Sequence, residues 1–337
     1  MSEPDKARHR RWRALRADPR WRWIARGAAL AFLLLVASLV VIEARKVHWR
    51  EVFTAIQSMP WPVLAAASGF AMASHLLYST FDLLGRRYTG HSLSTRAVMA
   101  ITFVSYAFNL NMGTLVGGAG IRFRLYLQLG LALNAIARIV TLSIMTNWLG
   151  YMVLAGAILL WRPFALPYQW MKDTGIVDVI GVAVIAVPLF YVTACARSRR
   201  RVVQFRGHKL TLPSFRLAVA QLVLSCANWM AIGGVVYMLL QQRVDYPAVL
   251  GALLAAAVAG VVSHIPGGLG VLEAVFVALL SDRVPKEQLI AALLTYRGIY
   301  YLVPLFIAAP AYFLFEARMR QSHRARDSRR AAPATSR

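Results

Sequence analysis

The sequence predicts an all-α polytopic integral membrane protein, with about six full spans and two re-entrant broken-helix hairpins, eight hydrophobic regions arranged as inverted repeats. Three observations lead there. Of 337 residues, 58% are apolar and only 15% charged, with a mean hydropathy of +0.54. A formal net charge of +24 is concentrated in short segments that flank apolar runs. Two of those runs are interrupted by clusters of Gly, Asn and Pro. Disorder needs lower hydrophobicity, a disulfide scaffold needs more than two cysteines, and soluble domains do not carry apolar blocks this long.

The chain opens with residues 1–26, which hold nine basic and three acidic side chains and read as a cytoplasmic segment. The apolar run from Ala28 to Ile42 could be the core of a signal peptide. The following Glu43-Ala44-Arg45-Lys46 offers no small-residue cleavage site, so the run is read as an uncleaved first span, 27–43. A membrane domain is expected over 27–316, and further stretches near the required length of about 20 apolar residues are 61–83, 133–161, 175–196, 214–240 and 288–316. The segment 197–213 carries six basic residues and no acidic one. The tail 317–337 is basic and reads as disordered and cytoplasmic. Cys195 and Cys226 lie in different apolar segments without metal-ligand neighbours, and read as packing residues.

The two interrupted regions decide the topology. Region 97–131 is broken by Asn109-Leu110-Asn111-Met112-Gly113 and Gly117-Gly118-Ala119-Gly120, and region 247–281 by His264-Ile265-Pro266-Gly267-Gly268-Leu269-Gly270. If both cross fully, inside segments hold 22 basic residues and outside segments 13; if both re-enter, the numbers become 25 and 8. Basic loops favour the cytoplasm, so re-entry fits better and places both termini inside. Units 61–161 and 214–316 then share one plan in opposite orientations, the architecture of many secondary transporters. Backbone broken at membrane depth must be buried in protein or line a wet cavity, so the two breaks imply a shared polar interior.

Several residues at the breaks suit chemistry. Gly117, Gly118 and Gly120 allow a tight turn whose N–H groups could face an anion, and Arg122 follows them. Arg122 either grips a head-group phosphate with its planar fork or, as is expected of Arg124, snorkels to the inner interface. At the second break, Pro266, Gly267, Gly268 and Gly270 end one half-helix and begin another. Glu273 falls in the new first turn, either as a charge favoured by the helix dipole or as an ionisable group on a pathway. His264 either titrates beside it or is a packed core histidine. Arg297, about ten residues into the last span, needs a partner; Glu273 is the nearest in sequence, and a substrate contact is the other reading. Asn147-Trp148 and Asn228-Trp229 lie mid-span and read as interhelical hydrogen-bonding sites. No Walker sequence, Rossmann glycine pattern, His-Glu-x-x-His or serine elbow is present, so no cofactor is expected. The positive charge reads as topology signal and head-group contact, with no nucleic-acid partner.

The run Gly117-Gly118-Ala119-Gly120-Ile121-Arg122-Phe123-Arg124-Leu125-Tyr126, the run Ser263-His264-Ile265-Pro266-Gly267-Gly268-Leu269-Gly270-Val271-Leu272-Glu273, and Tyr296-Arg297 with Tyr300-Tyr301 and Pro304 together resemble the lysylphosphatidylglycerol synthetase transmembrane-region family. The resemblance covers roughly 25–316. It implies the flippase portion of multiple peptide resistance factors, or one of their stand-alone bacterial inner-membrane relatives. About 21 residues follow Glu316, so no synthetase activity is expected. The expectation is therefore non-covalent translocation of an aminoacylated or other anionic phospholipid. Arg122 and the glycines would meet the phosphate, and Glu273 and His264 a cation or proton. The rivals are a lipid-modifying enzyme using His264 and Glu273, and a scaffold for a lipid-synthesis enzyme.

Overall fold

The computed structural model describes residues 49–163, 175–197, 202–205, 208–263 and 268–331. The expected N-terminal segment 1–26 and first span 27–43 lie outside the described residues. Among those described, five helical stretches are long and apolar enough to cross a membrane: Leu133–Trp161, Ile176–Arg197, Phe215–Leu239, Tyr246–Ser263 and Lys286–Arg318. The protein is a polytopic, almost wholly helical membrane protein.

A short helix α1 (Trp49–Gln57) precedes α2 (Trp61–Ser79), which starts after Pro60 with a second proline in its first turn, where the missing N–H costs nothing. Helix α3 (Phe81–Thr89) follows and ends at Gly90, whose φ of 72° is left-handed. Ser94 caps α4 (Thr95–Met112), its Oγ accepting from Ala97 N at 3.3 Å. At Gly113 (φ 81°) the chain leaves α4 and folds back through a π-helical segment, Thr114–Gly120, into α5 (Ile121–Gln128). Helices α6 (Leu133–Trp161) and α7 (Ile176–Arg197) come next. After them, two short antiparallel strands, β1 (Val202–Phe205) and β2 (His208–Thr211), pair Val202 with Thr211 and Phe205 with His208. Among the described residues this hairpin, in the basic segment between spans, is the one departure from an all-α reading.

Ser214 caps α8 (Phe215–Leu239) as Ser94 caps α4. Helix α9 (Tyr246–Ser263) leads to the second break and α10 (Val271–Leu280), which packs back against it. Helix α11 (Lys286–Tyr296), a second π-helical segment (Arg297–Leu302) and α12 (Val303–Ala331) run on continuously. The stretch 317–331, expected to be disordered, is helical. It is rich in Arg and Ala and meets no Gly or Pro before Pro333, so nothing stops the helix.

Small residues set the helix crossings. A Cβ at Gly150 of α6 would fall 2.4 Å from Ser225 Oγ and 2.5 Å from Cys226 N of α8. One at Gly156 would fall 2.6 Å from Gly181 O of α7. Close approach of this kind is how helices associate where hydrophobicity alone supplies no driving force. The outward face of α7 is apolar and open, with Val179 69% and Phe190 76% exposed, as suits a face toward lipid tails. The core gathers Tyr78, Phe81, Tyr106, Val235, Phe276 and Tyr300, drawn from α2, α3, α4, α8, α10 and the second π-helical segment.

Candidate functional site

At the second break the chain unwinds before α10. Gly268 (φ 58°) and Gly270 (φ 79°) take left-handed conformations, and a Cβ at either would meet nothing within 4 Å, so the requirement for glycine is conformational. The turn aims the Gly268 carbonyl at Arg297, which donates to it at 2.8 Å. Arg297 also forks onto Glu273, Nε to Oε1 at 2.5 Å and a terminal nitrogen to Oε2 at 3.0 Å, and its guanidinium lies 5.7 Å from the Tyr301 ring centre. The ion pair expected from the sequence is thus present as a bidentate contact. His264, Pro266 and Gly267 lie outside the described residues.

At the first break the glycines act differently from a nest of free donors. Gly117 and Gly118 both send their N–H groups to the Gly113 carbonyl, at 3.0 and 3.4 Å. A Cβ at Gly117 would sit 2.3 Å from the carbonyl carbon and oxygen of Phe108, and one at Gly118 2.8 Å from Asn109 Oδ1. The glycines therefore let the returning segment lie against α4. Gly120 is right-handed helical (φ −56°, ψ −49°) and leads into α5.

Arg122, in the first turn of α5, is 3% exposed and is turned inward. It donates to Ser143 Oγ of α6 at 3.0 Å, lies 3.5 Å from Asp82 Oδ1 of α3, and faces the Tyr78 ring at 5.6 Å. Asp82 Oδ2 accepts from Tyr126 OH at 2.9 Å. Arg124 does not snorkel freely. It makes a two-point contact with Glu316 of α12 at 2.6 and 3.2 Å, to which Gln128 adds a bond at 2.7 Å.

A buried polar ladder joins the two arginines. Tyr78 stacks on Tyr106 with ring centres 3.6 Å apart, and the Tyr106 and Tyr300 hydroxyls are 2.8 Å apart. Ser74 Oγ lies 2.7 Å from the same Tyr300 hydroxyl and 2.8 Å from Asn228 Oδ1 of α8. Tyr300 stacks on Tyr296, next to Arg297. The π-helical turn widens the backbone here and frees carbonyls for side chains. His75 Nε2 approaches Tyr300 O at 3.2 Å, and Asn111 Nδ2 donates to Tyr301 O at 3.2 Å. Asn228 bonds across helices through its side chain as expected, whereas at Asn147 it is the main-chain carbonyl that accepts, from Ser225 Oγ and Trp229 Nε1.

Ser74, His75, Tyr78, Asp82 and Tyr106 were not marked by the sequence motifs. One carried a usable signal: His75 is an ionisable residue inside the apolar run 61–83, and an ionisable residue at such depth is a functional candidate in its own right.

A family match and three similar proteins bear on this arrangement. Residues 23–308 match the family described as the lysylphosphatidylglycerol synthase TM region. The inner membrane protein YbhN of Escherichia coli is 43% identical over 307 residues, covering 91% of this chain and 96% of that protein. An uncharacterized protein of Synechocystis is 30% identical over 296 residues, 86% of this chain and 91% of that one. A phosphatidylglycerol lysyltransferase of Staphylococcus aureus is 25% identical over 291 residues, 83% of this chain and 32% of the enzyme. The likeness to the enzyme is thus to about a third of it, and what the matching family describes is a membrane region. The role of that region is non-catalytic.

Proposed function

We propose a lipid-translocating role on this premise: the chain belongs to the lysylphosphatidylglycerol synthase transmembrane-region family. It is a multi-pass protein of a bacterial inner membrane, with a role linked to phosphatidylglycerol or lysyl-lipid metabolism or transport. The specific work is movement of an anionic phospholipid between leaflets without covalent change. Regions 97–131 and 247–281 are re-entrant, units 61–161 and 214–316 are inverted copies of one plan, and both termini are cytoplasmic. The packing of α2 against α8, the first helix of each unit, supports that pairing.

The observation that carries the reading is the buried ladder between two arginines. A chain that needed only to fill a bilayer would not keep Arg122 and Arg297 inside, because each buried cation demands a partner and costs several kcal/mol if it loses one. A phosphodiester is the ligand class that a planar guanidinium fork fits best. Arg122 receives the head-group phosphate, and Glu273 with Arg297 forms the corresponding station of the second unit. Rocking of one unit against the other exposes the stations to alternate leaflets.

The test is reconstitution. Purified protein in vesicles carrying fluorescent phosphatidylglycerol should raise the rate at which the label becomes accessible to an external quencher, and Arg122→Ala should return it to that of protein-free vesicles. No acceleration by the unaltered protein would sink the reading. A label whose parent lipid changed chemical identity would replace it with a lipid-modifying enzyme.

A further inference from the structure

Asp82 takes no part in the reading above, yet it stands against Arg122. It is wholly buried, and its Oδ1 lies 3.5 Å from the guanidinium without a hydrogen bond. Among the described residues, Arg122 Nε also has no hydrogen-bond partner, nor has His91 Nε2 in the loop between α3 and α4. This pair differs from Glu273 and Arg297, which meet fork to fork. Asp82 and Arg122 are held by charge alone, and each keeps an unused hydrogen-bonding position. A phosphodiester oxygen would satisfy Arg122 better than Asp82 does. Once displaced, however, a bare carboxylate at zero exposure would face a second anion, which both desolvation and repulsion forbid.

We propose that Asp82 takes up one proton when an anionic phosphodiester head group replaces it on Arg122, and releases that proton when the lipid leaves. The proposal rests on the head-group role of Arg122 given above. Charge balances: the empty site holds a guanidinium and a carboxylate, the filled site a guanidinium, a phosphodiester monoanion and a neutral carboxylic acid. The proton comes from solution and forms the Asp82 O–H bond. The buried charge is zero in both states, which is what a low-dielectric interior demands.

Two groups lie on the loop side of Asp82. Tyr126 OH is bonded to Asp82 Oδ2, and the His91 ring lies 6.4 Å from the Tyr126 ring. His91 lies outside the spans, and its pKa is lowered from the ordinary value, by partial burial first and by Arg86 second, so it stays neutral near pH 7. The titratable and charged groups around Asp82 are Arg122 and Tyr126 of α5 and His91, with Tyr78 of α2 beside Arg122 and Arg86 of α3 beside His91. His75 of α2 is turned to Tyr300, while Arg96 of α4, Arg138 of α6 and Arg216 of α8 are exposed.

The experiment titrates dihexanoyl phosphatidylglycerol into the detergent-purified full chain at a series of pH values. If one proton binds with each lipid, affinity falls about tenfold per pH unit once the carboxyl is deprotonated in the free protein. In weakly buffered solution with an indicator dye, the unaltered protein should take up one proton per lipid bound. Asp82→Asn should show neither the slope nor the uptake. Should that variant fail to fold, the uptake by unaltered protein still decides. Binding that is independent of pH and takes up no proton, yet is weakened by Arg122→Lys, overturns the proton role while the head-group reading stands. Binding indifferent to Arg122 at every pH overturns the head-group reading itself. Equal affinity and uptake with inorganic phosphate overturns a lipid ligand in favour of a soluble anion.

Discussion

Glu273 and Arg297 illustrate what can be read at the level of single residues. An arginine ten positions into an apolar span must find a carboxylate, and the second unit offers Glu273 within reach, so the pair follows from cost alone. Breaking a buried pair costs about 3–5 kcal/mol, whereas replacing both members by apolar groups is often neutral. Glu273→Met or Arg297→Met alone is therefore expected to lower thermal stability and folding yield, and the double substitution to recover most of the loss. A double variant no more stable than the worse single one, by thermal unfolding of purified protein, would show that the charges do not depend on each other. Asp82 and Arg122 were not legible as partners, because forty residues separate them and Asp82 stands at the end of its apolar run, where a charge reads as interfacial. Tyr78 and Tyr106 are likewise ordinary aromatics until folding stacks them.

At the scale of elements, the breaks were legible and their internal geometry was not. Gly, Asn and Pro clusters predict where helices stop, and α4 does end at Gly113 and α9 before the second cluster. That the first break and the last span would each contain a widened π-helical turn has no signature in residue type, since such turns arise from tertiary packing. The role of Gly117 also depends on the fold. A Cβ there would press on the Phe108 backbone at 2.3 Å, and backbone cannot swing away as the Asn109 side chain can for Gly118. Gly117→Ala is expected to destabilise the hairpin by about 3 kcal/mol, the upper range for overpacking, and Gly118→Ala by clearly less. Gly260→Ala, in helix α9 with open space around it, should be neutral or stabilising by about 0.5–1 kcal/mol. Comparison of the three unfolding midpoints checks the order.

For the whole molecule, hydropathy locates the long helices well: the expected span 133–161 coincides with Leu133–Trp161, and 175–196 with Ile176–Arg197 to within a residue. Periodicity and length suffice there because lipid on one side and protein on the other both accept apolar side chains. Orientation is a different matter, since it depends on charge outside the helices. The six basic residues of 197–213 are the deciding group. In a background with Cys195 and Cys226 replaced, Gln204→Cys is expected to react with a membrane-impermeant maleimide only after the cytoplasmic face is opened. Labelling from the periplasmic side of intact cells would reverse the topology and remove the inverted-repeat argument.

Among the described residues, three inward-turned arginines lie against carboxylates: Arg122 by Asp82, Arg297 by Glu273, Arg124 by Glu316. A single charge crossing the whole bilayer exchanges about 2.3 kcal/mol with the field for every 100 mV. A pair that shifts together exchanges almost none, because its two halves do opposite work. Under the proposed rocking of the two units, the protein's own rearrangement would be nearly silent electrically, and an energised membrane would act on the lipid and scarcely on the protein. Where a monoanionic lipid travels with one proton, the cargo is neutral as well, and the pH difference across the membrane, rather than the voltage, becomes the force that sets the direction of movement.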